Sequence, residues 1–321
     1  MMRPLLSVLS PAGDRARLSI LIFHRVLAQP DPLFPDEPDA CRFDDICRWV
    51  ARWFNVLPLD QACRRLRDAT LPSRALAITF DDGYADNHDI ALPILQRHGL
   101  TATFFVATGF LDGGRMWNDT LIEALRRTSR TQLDLTDCGV PGLELLDLAT
   151  IDARRQAIGR VLRIGKYLDA HARVGFAEAV ARVAGAELPT DLMMLSSQVT
   201  ALRRAGMCVG GHTVTHPILA RLDRAAAREE ISQNKTRLES LTQAPVSLFA
   251  YPNGVPGRDY GPVSIELVRE AGFEAAVSTA WGAADKSTEP FQLPRFTPWD
   301  RSRGSFGLRL VRNLRANCIT C

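Results

Sequence analysis

The chain has 321 residues, 46 % of them hydrophobic and 23 % charged, which excludes a disordered or fibrous polymer. Its 39 basic and 36 acidic residues leave a formal charge of +3, too balanced for a nucleic-acid binder, and no such partner is expected. At this length about three quarters of the unfolded surface can be buried, so no disulfide framework is needed.

From the N-terminus, Leu5, Leu6, Val8 and Leu9 follow Arg3 but are broken by Ser7 and stopped by Ser10-Pro11. A secretory segment needs about 7–15 apolar residues, so a mature cytoplasmic start is expected. That compartment keeps thiols reduced, which fits seven scattered cysteines. Only Cys318 and Cys321 have metal-ligand spacing, and without a second pair they read as an ordinary tail.

Leu18–Phe23 is a short run rich in β-branched residues and predicts a buried strand. Phe43, Ile46, Cys47, Val50 and Phe54 form a helical stripe. Ala75–Phe80 predicts a second strand, Asn87–His98 a helix stopped by Gly99, and Thr101–Val106 a third strand. No apolar run approaches the roughly 20 residues of a membrane-spanning helix. From about 110 to 197 the text is helix-rich with no clear strand and reads as an insertion. Strands resume at Met207–Val209, Ser247–Ala250 and Ala275–Ser278, with helices over Arg221–Leu241 and Ser264–Ala271 between them. Near-continuous apolar strands alternating with helices predict a parallel sheet covered on both faces. A single α/β domain over 1–321 is expected, barrel-like or doubly wound, ending in a basic helix over about 301–317.

The sharpest feature is Thr79-Phe80-Asp81-Asp82-Gly83-Tyr84, placed where a buried strand ends. Ligands of parallel sheets gather at strand carboxyl ends. Two adjacent carboxylates repel unless a positive group neutralises one, and a metal ion does so while leaving the other free to accept a proton. Alone, Asp-Asp-Gly reads as an acidic turn. Gly211-His212-Thr213-Val214-Thr215-His216-Pro217 changes the balance, because it follows another strand. Two histidines four apart suit one helix face, but the residue before proline is pushed out of the α region. The pair is therefore expected on a turn entering a helix that begins near Pro217. Imidazole nitrogen with carboxylate oxygen is a normal donor set for a catalytic zinc.

These two segments resemble the first and second motifs of the polysaccharide deacetylase family, the nodulation-protein-B type of carbohydrate esterase. Phe249-Ala250-Tyr251-Pro252-Asn253-Gly254 is similar to its third motif, and the likeness runs loosely from about 18 to 300. The resemblance implies a distorted (β/α) barrel and a divalent metal, by default zinc, that serves removal of acetyl groups from sugars. It further implies that Asp82, His212 and His216 hold the metal, that Asp81 is the general base, and that the backbone N–H of Asn253 binds the oxyanion.

Two departures stand out. The family's third motif carries an arginine where this chain has Ala250, and Arg295, in Leu293-Pro294-Arg295-Phe296, is the candidate substitute for orienting the base. The fifth motif supplies a histidine acid near the C-terminus, yet no histidine follows His216. Ile22-Phe23-His24-Arg25-Val26 is similar to the early Tyr-His-Arg element of the branch that includes poly-N-acetylglucosamine deacetylases, which implies His24 as the acid. An imidazole can deliver a proton near neutral pH, and a strand-end histidine bonded to backbone is the alternative. His88, His98 and His171 read as surface residues.

Tyr84, Trp117, Tyr251 and Trp299 are candidate sugar platforms, set against the rule that most buried aromatics are core. The tail after Asp300 holds Arg301, Arg303, Arg309, Arg312 and Arg315 with no acid, and Phe306, Leu310, Val311 and Leu314 at helical spacing. It reads as a last helix packed on the barrel or, alternatively, as a basic amphipathic helix lying on the inner face of an anionic membrane. The function expected is metal-dependent removal of an acetyl group from an N-acetylated sugar of a polysaccharide or glycolipid. The alternatives are deformylation or deacetylation of a lipid-linked amino sugar, and a non-catalytic carbohydrate-binding barrel.

Overall fold

The computed structural model describes residues 2–138, 143–316 and 321, so Cys318 and the end of the expected basic helix lie outside the described residues. The strands are β1 (Leu18–Phe23), β2 (Asn55–Val56), β3 (Ala75–Phe80), β4 (Thr103–Val106), β5 (Gln132–Asp134), β6 (Leu145–Asp147), β7 (Cys208–Gly211), β8 (Leu248–Ala250), β9 (Ala275–Trp281) and β10 (Leu293–Arg295). The helices are α1 (Met2–Leu9), α2 (Ala40–Trp53), α3 (Leu59–Arg67), α4 (Leu92–Arg97), α5 (Trp117–Arg127), α6 (Ile151–Tyr167), α7 (Ala170–Ala184), α8 (Ser196–Arg204), α9 (Arg224–Thr242), α10 (Pro262–Glu270) and α11 (Arg303–Asn313). Among the described residues no helix is long and apolar enough to cross a membrane.

The chain divides into two compact units, one of Met1–Gln29, Glu37–Asp112 and Met194–Cys321, the other of Pro30–Asp36 and Gly113–Met193. In the first, the strand order is β1-β3-β4-β7-β8-β9-β10, every pairing parallel, with β2 beside the start of β3. Just past β10, Phe296 bridges Leu21 in parallel and completes the ring, its N–H donating to the Ile20 carbonyl at 2.7 Å. This is the distorted (β/α) barrel. β1 and β3 are buried at every position because helices cover one face and the barrel interior the other. One layer of the core is aromatic, with Phe23, Phe43, Phe80 and Phe104 in ring contact. Because the strands run parallel, their carboxyl ends, which carry His24, Asp81, His212 and Tyr251, all open at one end.

The second unit packs α5, α6 and α7 around Leu121, Leu125, Ile158, Val161, Phe176 and Val180. It also holds an antiparallel pair, β5 with β6, where the sequence predicts no clear strand. Each partner is three residues long with only its central leucine buried, too short for a periodicity to register. Two further segments differ from expectation. Asn87–Ala91 forms a π-helical turn before α4, with the buried Asn87 side chain drawn to the His24 carbonyl at 2.8 Å. No helix begins at Pro217: a 3₁₀ turn covers Leu219–Arg221, and α9 starts only at Arg224 behind the Asp223 cap.

α11 buries Phe306, Leu310 and Asn313 and sets Phe306 against Trp49 and Trp53 of α2. Arg303, Leu308 and Arg312 stay exposed.

Candidate active site

The turn after β3 is built around two aspartates with opposite fates. Asp81 is buried, and Arg295 grips it with both terminal nitrogens, Nη1 to Oδ1 and Nη2 to Oδ2, each at 2.7 Å. Arg295 is buried as well, its Nε donating to the Ser278 carbonyl at 2.7 Å and its Nη1 to Thr79 Oγ1 at 3.3 Å. Burial alone would raise the Asp81 carboxyl, but the Arg295 charge, aided by His212, more than offsets it and holds the group below the usual carboxylate range. The substitute cation expected for Ala250 thus reaches Asp81, the expected base, from β10, separated from β3 only by β1 though 214 residues away in sequence.

Asp82 has no such partner. Its Oδ1 is buried without a hydrogen bond, 3.3 Å from His212 Nε2 and 3.4 Å from His216 Nε2. Donor atoms of Asp82, His212 and His216 all lie within 4.8 Å of one another, the three-ligand cluster found among the described residues. His212 Nδ1 bonds the Ala250 carbonyl at 2.7 Å, which makes Nδ1 a donor and turns Nε2 toward Asp82. Burial would lower this ring, but the facing Asp82 and Asp81 carboxylates raise it, an attraction that a cation held between Nε2 and Asp82 would replace. Burial lowers His216 to about 4, so its ring is neutral near pH 7, as a ligand requires. An orphaned buried oxygen facing two imidazole nitrogens is a donor set that a divalent cation satisfies. The residues present fit the metal.

The backbone is strained at these positions. Asp82, Thr213, His216 and Asn253 have φ values of +76°, +62°, +54° and +59°, a region that side-chain-bearing residues rarely adopt. For His216 the following proline disfavours the α region, and the chain turns left-handed instead of entering a helix. Gly83, at φ +91°, is required, because a Cβ there would meet Val106 Cγ1 at 3.0 Å.

Sequence reasoning missed the residues that brace this geometry. On α9, Asn234 accepts the His212 N–H at 3.1 Å and donates to the Thr213 and Val106 carbonyls. One turn earlier, Glu230 Oε2 accepts the N–H groups of Val214 and Thr215, each at 2.8 Å. A polar residue within the buried stripe Ala227, Ile231, Asn234 and Leu238 is the signal that could have flagged Asn234. Asp86 likewise holds the segment after β1, accepting Arg25 Nε at 2.8 Å and the Val26 N–H at 3.2 Å.

The other expected site residues divide. His24 is exposed at the end of β1, close enough for its charge to bear on Asp81, Asp82 and His216. Asn253 follows β8, its carbonyl accepting Thr279 Oγ1 at 3.0 Å. Trp299 is 61 % exposed, with the Arg309 guanidinium 5.5 Å over one face of its ring. Tyr251 is not a sugar platform: it is fully buried and stacked on Tyr260 with ring centroids 3.8 Å apart. Tyr84 is buried too, with the Arg25 guanidinium 4.7 Å over its ring. Trp117 packs within the second unit, where a Cβ on Gly165 would lie 2.6 Å from its ring and Arg173 stands 5.2 Å above it. In each case an aromatic ring near a motif serves packing, which residue type alone does not reveal.

Comparison with known proteins places these motifs in a family. A polysaccharide deacetylase profile matches residues 68–132 and 156–276, and the chain belongs to that family. The polysaccharide deacetylase-type protein YxkH of Bacillus subtilis (strain 168) is 31 % identical over 93 residues. That match covers 28 % of this chain and 32 % of YxkH, about a third of the relative's length. In fold, the chain is similar to Streptococcus pyogenes deacetylase PplD in complex with acetate (TM-score 0.60, 17 % identity, covering 93 % of this chain and 98 % of that one). It is similar also to IcaB from Ammonifex degensii (TM-score 0.57, 18 % identity, 95 % and 99 % covered).

Proposed function

We propose that this chain is a metal-dependent hydrolase that removes the acetyl group from an N-acetylated sugar of a polysaccharide or glycolipid. The observation that carries the reading is the orphaned Asp82 oxygen between two imidazole nitrogens, next to an Asp81 carboxylate held ionised by Arg295. Asp82, His212 and His216 would hold the ion, and nitrogen with oxygen ligands makes zinc the choice. When bound, a divalent ion supplies Lewis acidity toward the acyl carbonyl and lowers the pKa of a coordinated water toward about 7.

The protein's own groups do the rest. Asp81 accepts the proton of the attacking water, on a lone pair that the Arg295 hydrogen bonds leave free. Arg295 fixes the plane of that carboxylate and keeps it unprotonated. The Asn253 N–H stabilises the charge developing on the acyl oxygen, and His24 delivers a proton to the departing amine. Trp299 offers an aromatic face to the sugar. His24's location at the strand-end opening supports its part, and Asp86 and Asn87 hold the backbone around it.

A finer reading concerns the substrate's anchor. Opposite its buried residues α11 exposes Leu308 and Arg312, a face suited to an anionic membrane and hence to a lipid-linked amino sugar on its cytoplasmic side. The free thiols of Cys41, Cys47, Cys63, Cys138 and Cys208 suit a reducing compartment. Acetate or formate release from N-acetyl oligosaccharides, their O-acetyl counterparts and formamido-sugar lipids, with and without chelator, tests these readings. Chelator-sensitive acetate release restored by zinc is expected. Sugar binding without release by the zinc-loaded protein would overturn the hydrolase in favour of a binding module.

A further inference from the structure

The loop from His212 to His216 carries two proposed ligands on a backbone with two left-handed, non-glycine residues. Such a loop keeps one shape only if its surroundings over-determine it. α9 supplies that determination through two side chains one turn apart. Glu230 gathers the N–H groups of Val214 and Thr215 and the Thr215 hydroxyl, three donors at the loop's tip. Asn234 takes the His212 N–H on its oxygen, while its amide nitrogen reaches the Thr213 carbonyl, the Val106 carbonyl at 2.9 Å and Thr108 Oγ1 at 3.1 Å. Those last two flank the end of β4, Val106 as its last residue and Thr108 just past it, and between them the Ala107 N–H donates to the Asp82 carbonyl at 3.1 Å. One buried amide therefore ties the imidazole loop to the segment that holds the carboxylate. The contact is so close that a Cβ at Gly211 would stand 2.7 Å from the Asn234 oxygen.

We propose that Asn234 and Glu230 are positioning residues that set the distance between Asp82 and the two histidines, and so the affinity and coordination geometry of the site for a divalent ion. The inference rests on the metal reading above. Groups that orient ligands without touching the ion are commonly worth 10–100-fold in metal affinity.

The test uses the full chain, stripped of metal, with three variants: Glu230→Ala, Glu230→Gln and Asn234→Asp. Zinc affinity is read by competition with a chromophoric chelator, geometry by the cobalt(II) absorption band, and stability by melting of the stripped protein. Glu230→Ala is expected to bind zinc at least about tenfold more weakly with an altered cobalt band, while its stripped form melts near the parent. Glu230→Gln keeps an acceptor oxygen and should stay within about threefold of the parent. Asn234→Asp keeps the acceptor for the His212 N–H but loses the donor that ties in Val106, so it should weaken zinc at least as much as Glu230→Ala. Should Asn234→Asp fail to fold, the Glu230 pair decides alone. Parent-like zinc affinity in Glu230→Ala would overturn the proposal, as would a weakening that Glu230→Gln shares in full. A parent chain that binds no zinc would instead overturn the metal reading itself, so the two failures are told apart.

Discussion

The carboxyl end of the barrel and the helical unit of residues 113–193 achieve order by opposite means. In the helical unit, Leu121, Leu125, Val161 and Val180 are fully buried among other apolar groups. Its buried Glu123 is neutralised by Arg126 and Arg127, which reach solvent. At the barrel end, Asp81, Asp82, His212 and Arg295 are all buried, one carboxylate oxygen has no hydrogen bond, and four residues with side chains hold left-handed backbone. Apolar packing needs no exact partner, whereas each buried polar group costs free energy until one is found. The contrast supports the proposed site: where unpartnered polarity and strain gather on facing carboxylate and imidazole groups, a ligand or a reaction can repay them.

Three substitutions would break or sharpen that contrast. The largest effect is expected from Asp81→Asn, which removes the proton acceptor and leaves the three proposed ligands in place. Turnover should fall by about 10²–10⁴ while zinc affinity persists, and parent-like turnover would refute the base assignment.

Next comes Arg295→Met, which leaves a buried carboxylate without its cation and should cost about 3–5 kcal/mol in a denaturant titration. It carries a pH signature as well. Asp81 is depressed in the folded chain, so its stabilising contribution is present above the unfolded aspartate range and is lost as pH falls through the folded value. Without Arg295 the folded value rises, so the acid limb of kcat/KM should move to higher pH. An unmoved limb would show that Arg295 does not hold the base ionised.

Leu121→Ala in the helical unit should cost about 2–5 kcal/mol by leaving a cavity, with the spread set by how far the helices close around it. No pH dependence should accompany that loss. A loss that varied with pH would mean the apolar unit hides a polar linkage of its own.

Much of the site could be read locally. Asp81 with Asp82 and His212 with His216 are short motifs at the ends of apolar runs, so residue type and spacing name them before any fold is known. Arg295 could be suspected only as a replacement for a missing arginine, and its hold on Asp81 depends on β10 closing the ring beside β1. Asn234 interrupts the apolar stripe of its helix, yet nothing local says which loop it or Glu230 faces. Tyr251 illustrates the reverse error: beside a motif it looks like a sugar platform, yet stacking on Tyr260 makes it core.

By itself, then, the sequence determined the period of its elements, the parallel α/β class and the residue types gathered at strand ends, since these follow from hydrophobic spacing and local turn chemistry. Tertiary structure alone decided which cation neutralises Asp81, which carboxylate oxygen stays unpaired, which helix braces the histidine loop and which aromatic rings are buried. Those outcomes depend on distances between residues far apart along the chain, and distance in space is set by packing, not by position in the sequence.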